Sequence, residues 1–269
     1  MVPSPMPSYE ELKGMLFSLF MVAARVSPIF LLVPFMNRAL IPRMVRFAMS
    51  AGVALVVLPI LPAVPEAWPS GVSLIALVLK EGMIGLLLGF VVAIPFWVFE
   101  AVGFVIDNQR GASMAATLNP MTGHDSSPLG IAFNFAFITF FMMGGGMDLF
   151  LGLIYDSYRL WAPLEFWPAF GADAAALLIV QLNRLVMLAL LLSAPVLIAM
   201  LMSELGLALV SRFAPQLQVF FLAMPIKSAL ALFVLVIYAQ TLFDYSLAPI
   251  REIATWVDRL DPLLRLGGR

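Results

Sequence analysis

The run from Val72 to Ile106 is almost wholly apolar, with three charges inside it: Lys80, Glu81 and Glu100. As one helix it would be about 52 Å long, at a rise of about 1.5 Å per residue. The hydrocarbon core of a bilayer is only about 30 Å thick. Such a run has to break, tilt strongly or leave the lipid, and its charges favour a break or burial against protein. Five more runs have the length of a membrane helix or nearly so. They are Met15–Met36 with Arg25, Phe47–Val64, the uncharged Leu129–Met147, Leu185–Met202 above a polar foot of Gln181, Asn183 and Arg184, and Val219–Phe243 with Lys227. The runs are too long for strands and lack period-2 alternation.

Composition closes off the soluble alternatives. Hydrophobic residues make up 62% and charged residues 12% of the 269 residues, with a mean hydropathy of +1.02. A soluble domain has about 45–50% apolar and about 25% charged residues. Disorder needs the opposite balance. A net charge of -1 lacks the basic excess of a nucleic-acid binder, so no nucleic-acid partner is expected. The absence of cysteine excludes disulfides, thiol chemistry and thiolate metal sites. The expectation is an all-α, hydrophobic, membrane-associated chain. It has about six main helices, proline kinks, a broken third segment and one domain over residues 1–269.

Local signals refine this. Ser8 with Glu11 fits a capping box that opens the first helix near Tyr9. Glu10 and Glu11 ahead of the first run, with no basic stretch before them, argue against a cleavable signal peptide. Pro28, Pro34, Pro59, Pro95, Pro195 and Pro225 lie in or near the ends of the apolar runs, where each would kink or end a helix. The stretch Ala248–Arg269 is amphipathic and reads as a solvent or interface helix. With six spans, loop bases divide six against five, so the positive-inside rule gives no orientation.

No catalytic constellation emerges. His124 is the one histidine, which rules out a His-based zinc motif. Its neighbours Asp125, Ser126 and Ser127 are adjacent in sequence and do not form a triad by default. Asp148 and Asp156 belong to one helical region and make a poor proton-sharing dyad. No phosphate loop or dinucleotide fingerprint is present. The expectation is a non-enzyme without metal or cofactor.

Other residues matter for packing and passage. Arg25, Lys80, Glu81, Glu100, Arg184 and Lys227 are charges at membrane depth, which face protein or water. Structural pairing explains them more simply than transport. Lys80 and Glu81, being adjacent, are expected to point apart and not to neutralise each other. Gly82, Gly85 and Gly89 line one helix face and allow close helix approach, either within the chain or to a partner subunit. The long polar stretch Ile106–Gly130 is rich in small and turn-forming residues. Loops longer than about 15 residues are often functional.

The stretch Lys80–Gly130, with IDNQRGA and LNPMTG inside it, resembles the SctT/FliR family of export-apparatus proteins of bacterial type III secretion. Further resemblance lies at Ala24–Ser50, Met143–Pro163 and Ala194–Ser228. The loop wording is closer to the virulence-type, injectisome branch than to the flagellar one. The resemblance implies a pore subunit of the inner (plasma) membrane that assembles with SctR- and SctS-type subunits and a SctU-type switch protein. It also implies contact with membrane lipid, passage of secreted unfolded proteins, and an assembly partly raised towards the periplasm. It further implies that the loop is a pore plug. Its residues are Asp107, Asn108, Gln109, Arg110, Gly111, Ala112, Met114, Asn119, Pro120, Gly123, Ser126 and Pro128. The alternative is a secondary transporter or channel for a small solute, which often shows internal repeats. None is visible here.

Overall fold

Ser8 opens the first helix of the computed structural model, as the sequence predicts. Its hydroxyl accepts from the Glu11 N–H, and the Glu11 carboxylate accepts from the Ser8 N–H. The structure describes residues 8–36, 41–60, 68–69, 71–111, 127–165, 172–213, 219–245, 247–253, 255, 256 and 259. Among these the helices are α1 (Tyr9–Leu32), α2 (Arg43–Val57), α3 (Gly71–Arg110), α4 (Pro128–Met143), α5 (Gly146–Leu160), α6 (Ala172–Phe213), α7 (Val219–Asp244) and α8 (Leu247–Ile253). No strand occurs among the described residues, so the all-α expectation holds. Four helices, α1, α3, α6 and α7, are long and apolar enough to cross a membrane, or five spans if α4 and α5 form one broken span.

Two details differ from the sequence expectation. The third segment does not break: α3 runs for 40 residues with Pro95 inside it. A proline in a helix interior costs about 3 kcal/mol through the lost N–H and the ring clash. In the most apolar window of α3, 67% of residues are buried. Packing over that length outweighs one missing hydrogen bond. Pro28, Pro195 and Pro225 are likewise inside helices, whereas Pro34 and Pro59 sit in 3-10 turns directly after α1 and α2. The second difference is α5, a separate helix that the long-run criterion passes over. It is amphipathic, burying Phe150, Leu153, Ile154, Ser157 and Tyr158 at helical spacing. A turn at Gly144 and Gly145 precedes it, and Gly145 takes φ 73°, a region favoured by glycine.

The fold forms two compact units. The first comprises residues 1–93, 145–179 and 251–269, and the second residues 94–144 and 180–250. The first buries Val22, Val26, Ile29 and Phe30 of α1 with Ile84 and Leu88 of α3 and the buried face of α5. The Phe150 ring stacks on Phe30 at 6.1 Å and meets Phe35 edge-on at 5.4 Å. In the second, Phe137 of α4 stacks on Phe99 and meets Phe96 edge-on, both at 4.7 Å. A Cβ on Gly103 would overlap the backbone of Leu129 and Gly130, so α3 and α4 touch through main chain there.

The glycine face resolves in the same way. A Cβ at Gly85 would overlap the Arg25 carbonyl of α1, and one at Gly89 would lie 2.9 Å from Ile29 Cα. These two glycines pack within the chain. Gly82 has nothing within 4 Å of a built Cβ and takes no part in the contact. Gly85→Leu should therefore destabilise the chain by more than the 1–3 kcal/mol typical of overpacking, roughly, because backbone has to move. Gly82→Leu should be nearly neutral. Thermal unfolding of the two purified variants, followed by far-UV circular dichroism, distinguishes them.

Candidate functional site

Two polar clusters stand out against this apolar background. The first lies in the first unit, around Arg25 of α1. Its Nε donates to Glu81 Oε2 at 2.6 Å and its Nη2 to Glu81 Oε1 at 3.0 Å, a two-pronged grip on the α3 carboxylate. Nη1 donates to the Ser157 carbonyl at 2.8 Å and hydroxyl at 3.1 Å, and Nη2 also to the Trp161 carbonyl at 2.8 Å. All five guanidinium N–H groups are thus used. The Tyr158 ring covers the guanidinium at 4.0 Å, and its hydroxyl donates to the Val22 carbonyl at 3.0 Å.

Lys80 completes this cluster and corrects the sequence expectation. Its Nζ lies 2.9 Å from Glu81 Oε1, so the two neighbours do pair. A lysine stem is long and flexible enough to bend back around the helix. The ammonium also donates to the carbonyls of Ala162, Pro163 and Glu165 at 2.9–3.1 Å. Two cations face one carboxylate. The excess positive charge sits among carbonyl oxygens at and beyond the C-terminus of α5, where the helix dipole is negative.

The second cluster lies in the second unit, at the base of the predicted plug. Here the loop is shorter than Ile106–Gly130. Ile106 to Arg110 are the last residues of α3, and Pro128 already begins α4. Asp107 is buried on the last turn of α3. Its Oδ2 accepts from the Ser127 hydroxyl at 2.6 Å and the Leu129 N–H at 2.9 Å. Ser127 is in turn the N-cap of α4, its hydroxyl accepting from the Gly130 N–H at 2.9 Å. Arg110 Nε lies 2.7 Å from Asp107 Oδ1, an ion pair with its N–H off the hydrogen-bond line. Asp107 therefore fastens the two ends of the intervening segment to each other. Gly111 leaves α3 at φ 85°, and Asn108 and Gln109 are exposed on the final turn. Ala112, Met114, Asn119, Pro120, Gly123 and Ser126 lie outside the described residues.

The remaining predicted charges are less buried than expected. Glu100 is exposed and accepts from Asn134 Nδ2 at 2.8 Å. Lys227 is half-buried and pairs with Glu204 at 2.8 Å, and Arg184 is half-buried. Sequence reasoning missed Ser157 and Ser127, small polar residues whose roles depend on distant partners. The Ser127-Pro128 step is a helix-start signal that could have revealed the latter.

A profile of bacterial export proteins, family 1, matches residues 16–253. The chain belongs to that family. It is 38% identical over 236 residues to Yop proteins translocation protein T of Yersinia pestis, covering 87% of this chain and 90% of that protein. It is 35% identical to the surface presentation of antigens protein SpaR of Salmonella typhimurium, covering 86% of each. Flagellar biosynthetic protein FliR of Bacillus subtilis is more distant, at 27% identity over 85% of this chain and 88% of its own. Family and apolar helices together make this a multi-pass membrane protein.

Removing one partner of a buried pair costs about 3–5 kcal/mol, because the other charge is left uncompensated. Glu81→Leu should do so, leaving Arg25 and Lys80 facing each other. Adding Arg25→Met should recover only part of the loss, since the Trp161 carbonyl then lacks its donor, while the Ser157 carbonyl keeps only the Trp161 N–H. Unfolding midpoints of the two single variants and the double variant test this.

Proposed function

We propose that the chain is a non-enzymatic pore subunit of a type III protein secretion export apparatus in the bacterial inner membrane, acting as one export-gate domain over residues 1–269. Unfolded secreted proteins pass the gate it helps to form. The observation that carries this reading is the resemblance to the Yersinia translocation protein, which runs through nearly the whole of both chains. The greater identity to that protein and to SpaR than to the flagellar protein supports the injectisome branch. Its partners on this reading are SctR- and SctS-type subunits and a SctU-type switch protein, with part of the assembly raised towards the periplasm.

The gate is the segment between α3 and α4, held at its stem by Asp107. A plug has to yield to each incoming chain, and moving elements come from the low-stability end of a structure. A tight stem lets the insert yield without unravelling α3 or α4. The solute-transporter alternative finds less support in the cluster around Arg25. That site is enclosed and its donors are satisfied, which leaves no free face for an ion or solute.

Deleting the gene should abolish secretion of proteins into the culture medium, and the intact chain should restore it. A chain lacking residues 112–118 should co-purify with its partner subunits yet render the membrane leaky to small ions. Asp107→Ala should leak in the same direction but less, because it loosens the stem and leaves the insert intact. Unchanged ion permeability in an assembled complex carrying the deletion would return this segment to a plain solvated connection.

A further inference from the structure

The first unit contains a groove of about 590 Å³ between α1, α2 and α3, within the range of small-ligand sites. Its walls are largely apolar, with Phe47 of α2 and Leu79, Met83 and Leu86 of α3 exposed along it. The charged residues in its lining are Arg43 and Arg46, both from the first turn of α2. No side chain caps that helix, and no acid stands in its first turn. Among the described residues, Arg46 donates one bond, to the Met36 carbonyl at 3.2 Å. Among the described residues no carboxylate pairs with either arginine. An uncapped helix start with two arginines is a site for an oxyanion.

A second observation comes from Ser50. It lies four residues beyond Arg46 on the same helix face, about 6 Å further along the axis. Ser50 lines the groove, is 2% exposed, and its hydroxyl has no partner. Several other helical serines are satisfied locally: Ser193, Ser203 and Ser211 each donate to the carbonyl three residues back. A buried hydroxyl left open costs free energy unless something accepts from it. Gly82 also lines the groove, and its missing side chain leaves open space.

We propose that this groove holds one anionic phospholipid, with its phosphate at Arg43 and Arg46, an ester oxygen accepting from Ser50, and an acyl chain over Gly82 along Leu79 and Met83. The order of chemistry along the groove matches the order in the lipid: anion, ester, hydrocarbon. Basic pockets between membrane helices take anionic headgroups on these grounds. An acidic helix of a partner would satisfy the arginines but would leave the Ser50 hydroxyl without the ester acceptor that sits between anion and hydrocarbon in a lipid, and a protein adduct in the test below would reveal it. The inference rests on the chain lying in a bilayer and not on the export reading, so the secretion assay and the following test fail separately.

The test places a photo-crosslinking benzophenylalanine at Leu79 in the full chain, expressed with its partner subunits in bacterial membranes. Mass spectrometry of the purified product should find a phosphatidylglycerol adduct in excess over phosphatidylethanolamine. Arg43→Gln with Arg46→Gln should lower that adduct at least tenfold while the subunit still co-purifies. Gly82→Leu, which has room to fold, should block it by filling the channel. A protein adduct at Leu79, no adduct, or equal yields from both lipids would overturn the proposal. Inorganic phosphate binding to the lipid-free detergent complex, and lost with the same arginine pair, would mark a simple anion site and overturn it too.

Discussion

The first unit depends on where the Arg25 guanidinium finds its partners. A buried ion without compensation costs several kcal/mol or so. Arg25 of α1 avoids that cost by drawing on two stretches far from it in sequence: Glu81 on α3, and Ser157 and Trp161 at the end of α5. The grip requires close approach. Gly85 and Gly89 follow Glu81 at spacings of four and eight, on the same face of α3. Their missing side chains let the α1 backbone come near enough for a 2.6 Å contact. Ion pair and glycine face are one device, and neither works alone. A larger residue at Gly85 would push the guanidinium away from its carboxylate.

The second unit uses a different economy. Its interior is aromatic, with Phe96, Phe99, Phe137 and Phe141 fully buried between α3 and α4. Its long apolar helices are left open: only 11% of the most apolar window of α7 is buried, and Phe233, Val236 and Ile237 are exposed on it. In water such a face would be a liability. In a membrane-embedded assembly, lipid or neighbouring subunits cover it.

Length and hydropathy made α1, α3, α6 and α7 legible in the sequence, and the Ser8–Glu11 capping box fixed the start of α1. The continuity of α3 was not legible, because a proline's effect depends on whether packing on either side exceeds one lost hydrogen bond. Nor was α5, whose buried face recurs at three and four residues and is diluted in a hydropathy average. The charges divided similarly. Arg25 and Lys80 could be recognised as needing partners, but the backbone carbonyls that serve them, at residues 157, 161, 162, 163 and 165, carry no sequence signal. The bend of Lys80 towards its own neighbour was misread because spacing rules describe Cβ directions and not the reach of a four-carbon stem. At the proposed plug, Asp107 was named for its place in a motif. Its work as a clasp between α3 and Ser127 emerges only in three dimensions.

That clasp bears on how the proposed plug would work. If the insert were held by a dry apolar contact, each passing chain would have to expose that surface to water, at about 25 cal/mol per Å². Just over half of residues 112–126 are Ala, Ser, Thr or Gly, which offer little area to bury and groups that water satisfies equally well. Among the described residues, the frame is held at the stem by the charged hydrogen bonds of Asp107 and the N-cap of α4. Such bonds are about twice as strong as neutral ones and sharply directional. A clasp of this kind lets the insert be displaced while α3 and α4 keep their ends. On the plug proposal, a firm neck and a readily displaced insert are complementary requirements: Asp107 and Ser127 supply the first, and the composition of residues 112–126 suits the second.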